Sequence, residues 1–140
     1  MPQYIASYVH GEGKLGVLVQ LSCNDSFSLR TDEFKNLAHD LTLQIAASKP
    51  LSVSSSDLAP EHWERELSIL NERLIGLDTP ERQRRLKQMR ERFEREWCLL
   101  KQPYIKDQTV SVEELLSQLE QKLRDRITVV RFVRYDAIET

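Results

Sequence analysis

Cysteine is scarce. Cys23 and Cys98 are the only two in 140 residues, too few for a disulfide framework, and both are expected as buried structural thiols. Glycine is scarce too, with four in the chain. Long apolar runs are missing: the stretches are short, as at residues 16–19, against the ~20 residues that a membrane-spanning helix needs. No sign of charge dominates. Twenty basic and twenty-two acidic side chains leave a formal charge of −2, so no global field draws in nucleic acid or an anionic membrane. The opening Met1-Pro2-Gln3-Tyr4-Ile5 carries neither the basic and apolar regions of a secretory signal nor the Arg/Ser content of a transit segment. These absences lead to the expectation of a reducing, cytosol-like compartment, or of a bacterium-like organelle if a transit segment was removed.

What is present suits one folded domain. Apolar residues make up 40% and charged residues 30%. A chain of this size buries roughly 68% of its unfolded surface, enough for a core without cross-links. Residues 3–10 are aromatic and β-branched and read as a strand. Residues 14–23 alternate, with Leu15, Val17, Val19, Leu21 and Cys23 on one face. Gly11-Glu12-Gly13 between them reads as a hairpin turn. Thr31 is placed to cap a helix, and Asp32 and Glu33 sit in its first turn, where the helix dipole favours acids. Phe34, Leu37, Ala38, Leu41, Ile45 and Ala46 follow at helical spacing, and Lys49-Pro50 ends the run. Residues 51–57 read as a short extended link.

Pro60 opens a second helix. In it Trp63, Leu67, Leu70, Leu74 and Leu77 recur in alternate steps of four and three. Gly76 and Asp78 mark a stop, and Thr79-Pro80 restarts a helix expected to run to about Leu100. Residues 60–100 are therefore expected to form an antiparallel helical hairpin. Residues 102–107 read as a loop. Ser111-Val112-Glu113-Glu114 fits a capping box before Leu115, Leu116, Leu119 and Leu123. Residues 127–135 read as a strand. The order β-β-α-α-α-α-β implies an α+β domain: a small antiparallel three-stranded sheet packed with helices, plus the protruding hairpin.

Candidate chemistry is thin. Gly11-Glu12-Gly13-Lys14-Leu15-Gly16 matches G-x-G-x-x-G, but a dinucleotide site needs a helix after it, and here a strand follows. The kinase form needs a lysine strand, a catalytic loop and a metal-binding aspartate, and none appears downstream. A plain hairpin turn is the better reading. His39 and Asp40 are neighbours on a helix and diverge by ~100°, which suits a surface or interface role over catalysis. His10 and His62 show no ligand spacing. Arg82, Arg84, Arg85, Lys87, Arg90, Arg92 and Arg95 crowd one helix, and between residues 82 and 95 only Glu91 and Glu94 oppose them. Such a stripe can track phosphates. With Glu61, Glu64, Glu66 and Glu72 on the partner helix, a solvated, salt-bridged hairpin is the plainer reading, and RNA is not the expected partner. Phe27 lies in the polar stretch Cys23-Asn24-Asp25-Ser26-Phe27-Ser28-Leu29-Arg30. It reads either as a staple packed on its own helix, the plainer choice on residue physics, or as an aromatic anchor for a partner pocket.

Several separated motifs share one likeness. They are Lys14-Leu15-Gly16-Val17-Leu18-Val19-Gln20-Leu21-Ser22-Cys23, then Phe27, Arg30 and Asp32-Glu33-Phe34-Lys35-Asn36-Leu37-Ala38-His39-Asp40. Ile45-Ala46-Ala47-Ser48-Lys49-Pro50, Gln102-Pro103-Tyr104 and Val129-Val130-Arg131-Phe132-Val133-Arg134-Tyr135 follow in order. This set resembles the translation elongation factor Ts family over residues 4 to 135. Pro103-Tyr104-Ile105-Lys106-Asp107-Gln108 and Val112-Glu113-Glu114-Leu115 are most similar to cyanobacterial and plastid forms. The resemblance implies one core domain over residues 1–140 without the family's N-terminal helical domain. It implies a nucleotide exchange factor for the GTPase elongation factor Tu that carries no cofactor and no metal and makes no covalent bond. Exchange would follow from tighter binding to the nucleotide-free GTPase.

The same resemblance implies partner contact through Asp25, Ser26, Phe27, Arg30 and His39. The family's Thr-Asp-Phe loop presses an aspartate and a phenylalanine onto the GTPase and disturbs its magnesium and phosphate site. Here Asp25-Ser26-Phe27 occupies that position, so the phenylalanine is kept while the acid stands one residue early. The alternative is a repurposed Ts-like module, a dimeric scaffold or assembly subunit without exchange activity. Homodimerisation through the sheet is expected, and no membrane contact is.

Overall fold

Two strands open the chain as a hairpin. β1 (Gln3–His10) pairs antiparallel with β2 (Leu15–Cys23), from Gln3 opposite Ser22 to His10 opposite Leu15. The turn needs backbone that most residues avoid: Gly11, Glu12 and Gly13 have φ of 64°, 59° and 85°. Glycine takes the left-handed region without a Cβ penalty, which accounts for the glycine pair and leaves the G-x-G-x-x-G match as a hairpin turn. This computed structural model describes residues 1–137; residues 138–140 of the domain expected over 1–140 lie outside it.

The final strand, β5 (Ile127–Asp136), pairs antiparallel with β2 on its other side, giving the order β1-β2-β5. A bulge at Gln20/Leu21 shifts the register, so Arg131 faces Gln20 while Val129 faces Leu21. One face of this sheet is the floor of the core. Val17, Val19, Leu21, Cys23, Ile127 and Val129 are buried on it.

The cover is α1 (Asp32–Ser48), whose Phe34, Leu37, Ala38, Leu41 and Ile45 are all buried. Its ends are as the sequence suggests. Thr31 Oγ1 accepts from the Phe34 amide at 3.2 Å, and Lys49 closes the helix in the left-handed conformation with its N–H on the Ile45 carbonyl. α4 (Val112–Leu123) adds Val112 and Leu116 to the same cluster. Ser111 caps it, its Oγ accepting from the Glu114 amide at 3.1 Å. The expected α+β architecture is thus the observed one.

Between α1 and α4 the chain leaves the core as two helices, α2 (Pro60–Arg73) and α3 (Thr79–Trp97). α2 has no buried residue and α3 only Phe93. Trp63 meets Phe93 edge to face at 5.7 Å, and the Arg90 guanidinium lies 5.3 Å over Trp63. Three expectations need correction here. α2 stops at Arg73, and Leu77, although in step with the heptads, lies beyond the helix because Gly76 turns the chain at φ 91°. α3 stops at Trp97 rather than near Leu100. The residues after it pair instead with the 51–57 link: Ser52 bridges Cys98 in parallel, Leu99 N–H donates to the Ser52 carbonyl, and Leu100 N–H to that of Val53. That link is therefore paired chain, ending in a 3-10 turn at Ser55–Asp57. Three arginines of α3 form ion pairs, and these run along their own helix: Arg84 and Arg85 with Glu81, and Arg90 with Glu94. Among the described residues none reaches Glu61, Glu64, Glu66 or Glu72.

The stretch at 102–107 is not a plain loop. β3 (Pro103–Tyr104) and β4 (Asp107–Ser111) form a second, two-stranded sheet. Buried Gln44 of α1 fastens it, accepting from the Ile105 amide at 2.8 Å and donating to the Pro103 carbonyl at 3.1 Å and to Gln102 Oε1 at 3.2 Å. Both cysteines are buried free thiols, and burial raises the pKa of each.

Candidate interaction site

The β2–α1 loop, residues 24–31, carries four of the five residues singled out for partner contact. Its backbone is heavily tied. Asp25 Oδ1 accepts from the Phe27 amide at 2.9 Å, closing a small turn in which the side chain stands in for a backbone carbonyl. The Asp25 carbonyl accepts from the Ser28 amide at 3.0 Å and from Cys23 Sγ at 3.2 Å. The Phe27 carbonyl accepts from the Arg30 amide at 3.0 Å, and Thr31 Oγ1 donates to the Ser28 carbonyl at 2.8 Å.

On this tied loop the Phe27 ring is 66% exposed. The staple reading is therefore overturned. At that exposure Phe27 is not packed on its own helix. Ser26 and Arg30 are exposed beside it, and neither side chain has a hydrogen-bond or ion-pair partner among the described residues. Asp25 is exposed as a residue, yet one carboxylate oxygen is spent on its own loop.

His39 is not part of this cluster. It lies eight residues beyond Thr31, roughly 12 Å along α1, exposed and edge-on to Tyr8 of β1 at 6.4 Å. Tyr8 in turn bonds His10 Nδ1 through its hydroxyl at 2.8 Å. Asp40 diverges from His39 as helical neighbours must. It accepts from the Tyr104 hydroxyl at 2.9 Å and pairs with Lys106 at 2.6 Å. Burial and that bond to Asp40 push the Tyr104 phenol up to about 12.

One residue of the site carries no local sequence signal. Asp125, in the turn between α4 and β5, reaches across the chain to the loop. Its Oδ1 accepts from the Asn24 amide at 3.0 Å, and its Oδ2 from the Asp25 amide at 3.0 Å and the Ser28 hydroxyl at 2.7 Å. Burial acts to raise its pKa, but the bonds from Ser28, Asp25, Asn24 and Arg126 win and hold the carboxyl below the ordinary range. Among the described residues no group of three His, Cys, Asp or Glu side chains is arranged to hold a metal, and no helix is long and apolar enough to cross a membrane.

A second surface is apolar without being covered. On the outer face of the three-stranded sheet Ile5, Val9, Leu18 and Tyr135 are 61%, 67%, 47% and 73% exposed. Ile5, Leu18 and Val133, with Gln20 and Arg131, line a groove of about 330 Å³ on it.

A family model described as Elongation factor TS matches residues 1–139. The chain is 40% identical over 133 residues to an Elongation factor Ts of Koribacter versatilis, covering 94% of this chain and 61% of that protein. It is 36% identical over 137 residues to that of Moorella thermoacetica, with coverage of 96% and 68%. For Carboxydothermus hydrogenoformans the identity is 37% over 134 residues, with coverage of 94% and 62%. The chain thus spans about three fifths to two thirds of the length of these curated relatives.

Proposed function

The chain belongs to the elongation factor Ts family, and from that membership we propose that it binds elongation factor Tu and promotes the release of GDP. The observation that carries the reading is Phe27, a large apolar ring held out to solvent on a loop whose backbone is otherwise bonded inward. Aromatic anchors dominate interface energetics when they enter a pocket, and a loop already ordered loses little conformational freedom on docking. The site acts by binding alone: Phe27 enters the GTPase, and Ser26 and Arg30 flank it. GDP leaves because the complex is more stable with the nucleotide site empty. His39, far along α1, contributes to a separate edge of the same contact.

The direct thermodynamic test compares binding to nucleotide-free and GDP-loaded elongation factor Tu by calorimetry. Tighter binding to the empty form is expected; equal affinities would defeat the proposal, since a ligand with no preference shifts nothing.

One observation favours a second reading, a Ts-like module that binds without exchanging. The family's loop aspartate is replaced by Ser26, and Asp25 turns a carboxylate oxygen onto the Phe27 amide. Ser26→Asp separates the two. On the first reading it raises an exchange rate that already exists, and on the second it creates one from nothing or leaves none.

The proposal includes a core module over residues 1–140 with the hairpin of residues 60–100 as its appendage, and a homodimer formed through the outer face of the sheet. Exposed Ile5, Val9, Leu18 and Tyr135 support the latter, because apolar surface of this kind is stabilised by being covered.

A further inference from the structure

We propose that Asp125 is the positioning residue of the β2–α1 loop, fixing the direction in which Phe27 is presented. The proposal rests on the exchange reading above. It begins from valence. A carboxylate accepts about four hydrogen bonds, two on each oxygen, and Asp125 is fully used. Oδ1 takes the amides of Asn24 and, at 2.7 Å, Arg126; Oδ2 takes the Asp25 amide and the Ser28 hydroxyl. All four donors point at one side chain, so a neutral amide cannot replace it: its NH₂ would face two of them.

The bracket that holds Asp125 is itself rigid. Arg124 closes α4 in the left-handed conformation, and its N–H and that of Asp125 both reach the Glu120 carbonyl. Glu120 Oε2 also accepts from the Ile127 amide at 2.9 Å, at the first residue of β5. β5 is bonded to β2 up to Ile127 opposite Cys23. The loop is thus held from the sheet at one end and from the α4–β5 turn across it. Asn24, Asp25 and Ser28 are tied to Asp125, and Phe27 sits between the last two. Its own amide is tied to Asp25. No core contact is needed to aim the ring; the hydrogen bonds do it.

The test uses Asp125→Asn, Ser28→Ala, Phe27→Ala and the Asp125→Asn/Phe27→Ala pair. Acceleration of GDP release from elongation factor Tu is measured together with amide hydrogen exchange of the isolated protein. Asp125→Asn is expected to lower the acceleration on the order of tenfold, as misplaced contact groups do. It is expected to add no further loss in the Phe27→Ala background. A general loss of stability would instead lower the rate in both backgrounds. In parallel the amides of Asn24 and Asp25 lose protection while those of Val19 and Leu21 keep theirs. Ser28→Ala, which removes one bond and leaves the carboxylate, gives a smaller loss of the same kind and stands in if Asp125→Asn does not fold. An Asp125→Asn rate within twofold of wild type, or losses that multiply in the double variant, overturns the proposal. If the wild-type protein gives no acceleration at all, the exchange reading fails on its own. The amide data then decide for Asp125: unchanged protection at Asn24 and Asp25 overturns its role.

Discussion

At the scale of single residues, the molecule places polar side chains where a long-range link is needed. Gln44 is fully buried and satisfies the Ile105 amide, the Pro103 carbonyl and Gln102 together. Gln44→Ala takes the side-chain partner from the Ile105 amide and the Pro103 carbonyl, while Gln102 Oε1 keeps the Ser48 hydroxyl at 2.6 Å; with the cavity it opens, it is expected to cost about 2–4 kcal/mol in urea unfolding. Asp125 makes a second such link with a pH signature. Its pKa is lowered in the folded state, so its contribution is present above the unfolded value of about 3.9 and is lost as pH falls through the folded one. The stability gap between wild type and Asp125→Asn is therefore expected to be full at pH 6 and to shrink below about pH 4, as read by urea unfolding. A gap independent of pH would show that the carboxylate's charge is not what matters. Neither residue was legible beforehand. A side chain that bonds 58 to 101 positions away leaves no local spacing to read, whereas Phe27 stood out because an aromatic in a polar run is unusual.

At the scale of elements, periodicity served where burial is one-sided and continuous. α1 shows its apolar stripe in full, and both of its ends follow from capping chemistry. Removing the largest side chain of that stripe with Phe34→Ala is expected to cost about 3–5 kcal/mol. Element ends were misread where backbone pairing elsewhere competes. α3 stops at Trp97 because the 52–53 segment takes the next amides, and α2 stops before Leu77 because Gly76 turns the chain. The β3–β4 pair was missed because Asp107-Gln108-Thr109 is exposed on both faces and carries no alternation. The hairpin of α2 and α3 is held at its base by Trp63, Phe93 and Arg90, with Leu74 buried at its turn. So few buried contacts imply a low free energy of local opening. Amides of α2 are expected to exchange faster than those of α1, and equal protection in a hydrogen-exchange time course would contradict that.

At the scale of the whole molecule, two surfaces remain to be matched with partners: the Phe27 loop and the outer face of the sheet. A homodimer through the latter predicts a light-scattering mass of twice 16.4 kDa, reduced to that of one chain by Leu18→Lys, which places a charge in the centre of the face. A mass of one chain for the wild type at working concentration would reject the dimer. The near-zero net charge now has a place in the account, because docking on a protein surface through an apolar anchor needs no long-range field. The proposed function has Phe27 drive GDP from elongation factor Tu. Its most direct test is the rate of fluorescent GDP release from elongation factor Tu with wild type and with Phe27→Ala at equal concentrations. Acceleration by the wild type and a large but incomplete reduction of it in Phe27→Ala are expected; no acceleration, or the same acceleration from both, would contradict the proposal.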